Sequence, residues 1–420
     1  MVFEHYLAYG NSDQASFRNA EVHASFDVMT VPGTIASYYA EATAAFVLTS
    51  QLRYLIDPRT PLFQGALEDA RASHFSLAEW HGKAVTAELK AGGQFEQSFY
   101  SDEVVVDLTQ TVLNRQRNYG DNALLVEKKM NRYAALLAQA MQDQGEPTPA
   151  RGIQPPAYTL APYFAVSGVT DDWWAIQVRV WESVLAQDYA NSVSPVICVD
   201  GRDRDASGSG VDALREALEG LPEGMSNHVF FWITNFDERK VRLELLVKLW
   251  SLVSAFSETK ELVNLYGGFF SICLSRVGLS GFGNGLTYSE SRDWPALSST
   301  GAAPPRYYVP KLHMFLPVGL AASFVDEDDF FECGCTACTD WRGTGNSIAS
   351  LPYHDLKRHF AVARKAEIEA VSSQALPDLA SSLEEAHGRA EQARSAFQLR
   401  DMASTGFLLR WAHVLRHGSD

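Results

Sequence analysis

The sequence predicts an α/β fold, in its simplest form a (β/α)8 barrel with additions, and three observations carry that expectation. Short, continuous apolar runs alternate with amphipathic stretches of helical period. The runs lack polar alternation, the mark of strands buried on both faces in a parallel sheet. The length, 420 residues with 46% hydrophobic content, suits one large barrel-sized core or two medium domains.

The rhythm is clearest after the proline-rich break "QDQGEPTPARGIQPPAY". There "YTLAPYFAV" is strand-like and "DDWWAIQVRVWESVLAQ" helical; "PVICVDGRD" precedes the helix "GVDALREALEGL"; "HVFFWITNFDE" precedes "RKVRLELLVKLWSLVSAF". The runs "LVNLYGGFFSICLS", "GFGNGLTYSES" and "RYYVPKLHMFLP" follow, and "AAFVLTS" and "RYLIDPRTP" are two upstream candidates. Strands alternating with helices make βα units, and the count is that of a barrel. A doubly wound open sheet is the alternative, but no G-x-G-x-x-G follows the first strand. "GLSGFGNG" has no phosphate-loop lysine and reads as a turn entering a strand. The expected organisation is a barrel over 1–325, with a helical and loop insertion over about 100–158. A zinc-binding subdomain over 326–372 and a helical tail over 373–420 follow it. The tail could close the barrel or make a homodimer contact.

The net charge of −16 argues against a broad basic surface for coating nucleic acid. It leaves room for a local cleft, or for a partner subunit that brings the basic surface. No apolar run approaches a membrane span, and no secretory signal opens the chain, so a cytoplasmic protein with no membrane partner is expected. Three of the five cysteines cluster in "ECGCTACTDW", while Cys198 and Cys273 sit in apolar runs and read as buried core thiols. The spacing C-x-C-x-x-C brings Cys333, Cys335 and Cys338 around one ion, and a histidine, His359 or His354, would complete a closed structural Zn2+ set.

That motif, following a βα series, resembles the zinc site of the tRNA-guanine transglycosylases and their DNA-acting relatives that insert 7-deazaguanine bases. The resemblance implies a barrel enzyme that exchanges or removes a guanine-type base at a ribose C1′ in tRNA or DNA. "LYGGFFSICLS" is similar to the family's double-glycine strand end, which puts Gly267 and Gly268 against the base. "PVICVDGRD" resembles its base-binding aspartate strand, giving Asp200, and Asn235 falls near a base-recognising position, with Asp237 beside it. The family's nucleophilic aspartate lies on the last barrel strand, shortly before the zinc site, where this chain has "PPRYYVPKLHMFLP" and no carboxylate. Asp57, Asp200 and Glu290 are therefore the catalytic candidates, each at or after a strand-like run. His313 stands near the expected site as a binding or core histidine. A barrel that has lost the exchange chemistry, serving as a nucleic-acid- or protein-binding subunit, is the second reading.

Each carboxylate also has a plainer explanation. Asp57 precedes a proline and Asp200 a glycine, both turn chemistry. Asp237 could cap the helix after it. Glu290, with Arg292 and Asp293, could form an ion network.

Overall fold

The computed structural model describes residues 3–10, 12–67, 69–119, 127–143, 155–201, 210–287, 290–294, 304–399 and 402–418. Part of the expected linker, 144–154, lies outside them.

Eight parallel strands form one sheet: β1 (Glu4–Ala8), β2 (Val28–Pro32), β3 (Tyr54–Asp57), β4 (Ala165–Val166), β5 (Val196–Asp200), β6 (His228–Thr234), β7 (Glu261–Asn264) and β8 (Gly281–Gly285). Their order is β3-β2-β1-β8-β7-β6-β5-β4. The first strand therefore pairs with the last, from Glu4 opposite Gly281 to Ala8 opposite Gly285. Every residue of β5 and β6 is buried, as expected for strands covered on both faces.

The sheet is curled, but among the described residues no strand ladder joins β3 to β4, so the closed barrel expected from sequence is not reached. The physical reason lies in residues 157–166. Pro162 has no N–H to give to a ladder, and what reaches across from β3 is an isolated bridge, Leu55 with Tyr158, the Ala157 N–H on Tyr54 O at 2.7 Å and the Tyr163 hydroxyl on Asp57. Glutamine amides bond the backbone that the ladder leaves over. The Gln64 side chain accepts from Ala165 N at 2.8 Å and donates to Ala165 O at 2.6 Å. Gln116 does the same for Leu160. Gln177 accepts from Phe164 N and reaches Pro162 O at 3.4 Å.

Other differences from the sequence reading have local causes. β1 and β2 were not expected, because Glu4 and His5 in "EHYLA" mask a buried run. "AAFVLTS" belongs to the helix Ala40–Ser50, which ends at Gln51 in the left-handed region. A short apolar run has the same pattern in a buried helix as in a strand. For the same reason "FFSICL" is the helix Phe269–Leu274 rather than the continuation of β7. "GFGNG" is β8 itself, not a turn before it. The sheet is thus complete by Gly285, and "RYYVPKLHMFLP" is a separate antiparallel hairpin, Arg306–Val309 with Met314–Pro317.

Helices Tyr353–Ser373, Leu376–Ala396 and Gly406–His417 end the chain. The last packs on the helix Leu243–Phe256, and its Trp411 donates to Glu238 O. The tail covers the loop after β6. No helix among the described residues is long and apolar enough to cross a membrane.

Candidate metal centre and sheet mouth

Cys333, Cys335, Cys338 and His359 present ligand atoms all within 4.8 Å of one another. The local sequence explains why. Cys335 caps the helix Thr336–Gly343, which turns Cys338 back toward it. Cys335 N points at Cys333 Sγ at 3.5 Å. His359 lies fully buried in the helix Tyr353–Ser373, its Nδ1 3.3 Å from both Cys335 Sγ and Cys338 Sγ. Its Nε2 lies 2.6 Å from Tyr308 O, which directs Nδ1 toward the sulfurs. Tyr307 stacks on the imidazole, with ring centres 4.3 Å apart. Three thiolates and one imidazole are a closed donor set that fits a metal ion held for shape. His354, the competing ligand from sequence, is exposed and faces Asp355 instead.

The other site residues fall into two groups at the C-terminal end of the sheet. The first is the mouth. Asp57 ends β3 and is 2% exposed. Its Oδ1 accepts from Tyr163 Oη at 2.7 Å and from Arg59 N at 3.0 Å, and Arg59 Nε stands 3.6 Å from Oδ2. A small cleft of about 20 Å³ lies over it, lined by Asp57, Arg59, Tyr266, Gly283, Asn284 and Arg292 among others. Glycine at 283 keeps this wall thin, since a Cβ there would stand 2.6 Å from Leu265 O. Asp200 ends β5, buried, and accepts from Thr234 Oγ1 at 3.4 Å. Cys198 lies within reach of both carboxylates: burial pushes its thiol well up, and Asp57, Asp200 and Asp293 push it further.

The second group is an ion network. Glu290 pairs with Arg364, a guanidinium with no exposure, and with Arg239 at 3.5 Å. Arg364 also meets Glu367 at 3.0 Å and lies over the rings of Tyr308 and Phe360. Glu367 in turn accepts from Tyr308 Oη and bonds His313 Nδ1 at 2.6 Å. His313 is stacked on Phe269, with ring centres 3.4 Å apart. Glu238 caps the helix Phe269–Leu274, accepting from Phe270 N and Ser271 N. Burial pushes its carboxyl up to about 7, against the lowering bond from Ser271. Asp237 bonds Arg239 and Lys240.

The structure therefore brings Asp237, Gly268, Glu290 and His313 around one small cavity, with Glu238, Arg239, Phe269 and Trp411. Asp57 and Asp200 stand apart from it, at the ends of their strands. The space left by the absent Cβ of Gly268 is taken by Glu238 and Glu290, and that of Gly267 by Ser271. Asn235 is exposed, at φ +57°, with its N–H on Arg292 O. Sequence reasoning passed over Arg59, Tyr163, Tyr266, Glu238, Arg364 and Glu367. Arg59 had a signal, two residues after a candidate aspartate; the glycines at 281, 283 and 285 had another, spaced to share one face of a strand. No protein-family model, curated protein or solved structure matches the chain.

Proposed function

We propose that the chain is a transglycosylase-like enzyme that exchanges or removes a guanine-type base at a ribose C1′ of a nucleic acid, with a structural Zn2+ in the Cys3His centre. The observation that carries this reading is the pair of buried carboxylates, Asp57 and Asp200, at the C-terminal ends of strands of one curled parallel sheet. Active sites of such sheets gather at that end.

In this mechanism Asp57, oriented by Tyr163 and Arg59, attacks C1′ while the glycosidic bond breaks and its electron pair leaves with the base. Asp200, carrying a proton, holds the edge of the base and passes that proton to it, then takes one back from the incoming base or water. An incoming base, or water, then attacks C1′ and releases Asp57, so the sugar configuration is retained. A base in a duplex would first have to be flipped out. The metal takes no part in these steps; it would fix the helix Tyr353–Ser373 against the sheet.

The test is incorporation of labelled guanine into tRNA and into DNA, with trapping of a covalent adduct. Asp57→Asn should abolish both exchange and adduct, and Asp200→Asn should lower exchange by about 100-fold or more. Full activity in Asp57→Asn would sink the assignment. The second reading, a binding subunit without exchange chemistry, draws on β8, which ends in "GFGNG" with no carboxylate. In that case binding of nucleic acid without any base turnover is the expected result.

A further inference from the structure

Two histidines that neither the Cys3His centre nor the sheet mouth uses stand on the last helix, Gly406–His417. His413 and His417 are four residues apart, so they lie one above the other on the same face. Both are exposed, and their rings are 4.8 Å apart between centres, tilted by 50°. The opposite face of the helix is buried through Phe407, Leu408, Trp411 and Leu415, so the backbone that carries the pair is fixed against the protein.

Two arginines flank the pair along the helix, and a dication would be repelled if their charges turned toward it. Both are engaged elsewhere. Arg410 donates to Arg239 O at 2.5 Å. Arg416 donates to Glu384 Oε2 at 2.6 Å and to Ser381 Oγ at 3.1 Å, which turns it toward the helix Leu376–Ala396 and matches its charge there.

Imidazole suits first-row transition metals, whereas Mg2+ and Ca2+ take oxygen ligands. Two imidazoles four residues apart on one helix face have the spacing that chelates zinc in H-E-x-x-H helices. Rings this close can each turn one nitrogen to a shared ion, at bonds of about 2.0–2.1 Å. The second nitrogen of each ring stays available to another partner, so the chelate asks for one nitrogen from each. Unlike the closed Cys3His set, two donors leave coordination positions to water, and an ion held this way exchanges with solution.

We infer that His413 and His417 form a second metal site, an exchangeable surface chelate for a divalent transition ion. The ion ties two successive turns of the helix together. That helix covers the loop after β6 through Trp411 and Arg410, so a bound ion tightens the cover over the Glu290 network. The site stands whether or not the chain exchanges bases.

The experiment is calorimetric titration of the full zinc-loaded chain with Ni2+ and, separately, with Mg2+, joined to hydrogen exchange with and without Ni2+. Ni2+ should bind while elemental analysis shows the Cys3His zinc still in place, and Mg2+ should give no binding. His413→Ala and His417→Ala should each weaken Ni2+ binding by at least about tenfold, because a single imidazole cannot chelate. Exchange in Gly406–His417 should slow with Ni2+ in the native chain and in neither variant. His413→Gln and His417→Gln replace the alanine variants if those do not fold. Absence of Ni2+ binding, binding that comes only from displaced zinc, or full affinity kept by either variant would each overturn the inference. Binding lost in both variants, with exchange unchanged by Ni2+ in the native chain, would uphold the site and remove its effect on the cover.

Discussion

Two groups of acids meet arginines at the same end of the sheet, and they differ in what closes over them. Around Glu290, charge is matched within the protein: Arg364 and Arg239 on Glu290, Glu367 on Arg364, His313 on Glu367. Aromatic rings cover the central guanidinium, and the remaining cavity is small. Around Asp57 the partners are neutral or backbone donors, with one guanidinium at 3.6 Å, beside a cleft that is also small. A buried network whose charges are paired among its own members holds elements together. A carboxylate held mainly by a few oriented neutral donors keeps acceptor capacity for a ligand. The first therefore reads as the lock between sheet and C-terminal helix, the second as the working site.

The sharpest way to break this contrast is to remove the metal. The helix that carries His359 also carries Arg364 and Glu367, so the lock depends on the metal centre. Structural zinc contributes on the order of 10 kcal/mol or more in small domains. We expect about one zinc per chain by elemental analysis, and chelation should lower the melting temperature sharply. Hydrogen exchange should then show the helix Tyr353–Ser373 losing protection first, while β1, β2 and β3 keep theirs. Simultaneous loss across both regions would dissolve the distinction.

Arg364→Met comes next in size. It takes the buried cation from Glu367 and leaves Glu290 only Arg239, a change that costs about 3–5 kcal/mol. Asp57→Asn keeps shape and hydrogen bonding at the mouth and should cost under about 1 kcal/mol. Denaturant unfolding of the two variants measures the contrast directly. If Asp57→Asn proves the more destabilising, the mouth is structural and the roles are reversed.

The pH dependence sharpens the lock. The Glu238 carboxyl is pushed up to about 7 from an ordinary 4.5, so the unfolded chain loses this proton first as pH rises. The stability this group supplies is full below about pH 4.5, falls between there and about 7, and is level above. The total loss is on the order of 3 kcal/mol. Glu238→Gln should flatten that part of the stability profile, and a profile of unchanged slope in the variant would assign the titration elsewhere.

The metal centre was legible because its ligands are close in sequence and their chemistry is narrow. The β5 and β6 strands were legible because both of their faces are apolar. The open seam was not, since it turns on which glutamines pair with a proline-interrupted segment, and those residues lie far apart along the chain. Nor was the division of the acids. Asp57 and Glu290 carry the same group after similar runs. Only their distant partners, Tyr163 for one and Arg364 for the other, separate a site from a lock.

That seam gives the smallest and most local test. Gln64 follows β3 closely, and its amide makes both bonds to the Ala165 backbone, one from each of its polar atoms. Gln64→Ala leaves the Ala165 N–H and C=O without these partners in a buried setting, at about 1–3 kcal/mol. Gln64→Glu keeps the acceptor, loses the donor and buries a charge, so it should cost more than alanine at neutral pH and less in acid, where the carboxyl protonates. The two variants, unfolded across pH, thereby ask whether the mouth is held beneath Asp57 by neutral bonds. A glutamate variant as stable as the native chain at neutral pH would mean that this side of the sheet accepts charge as readily as the lock does.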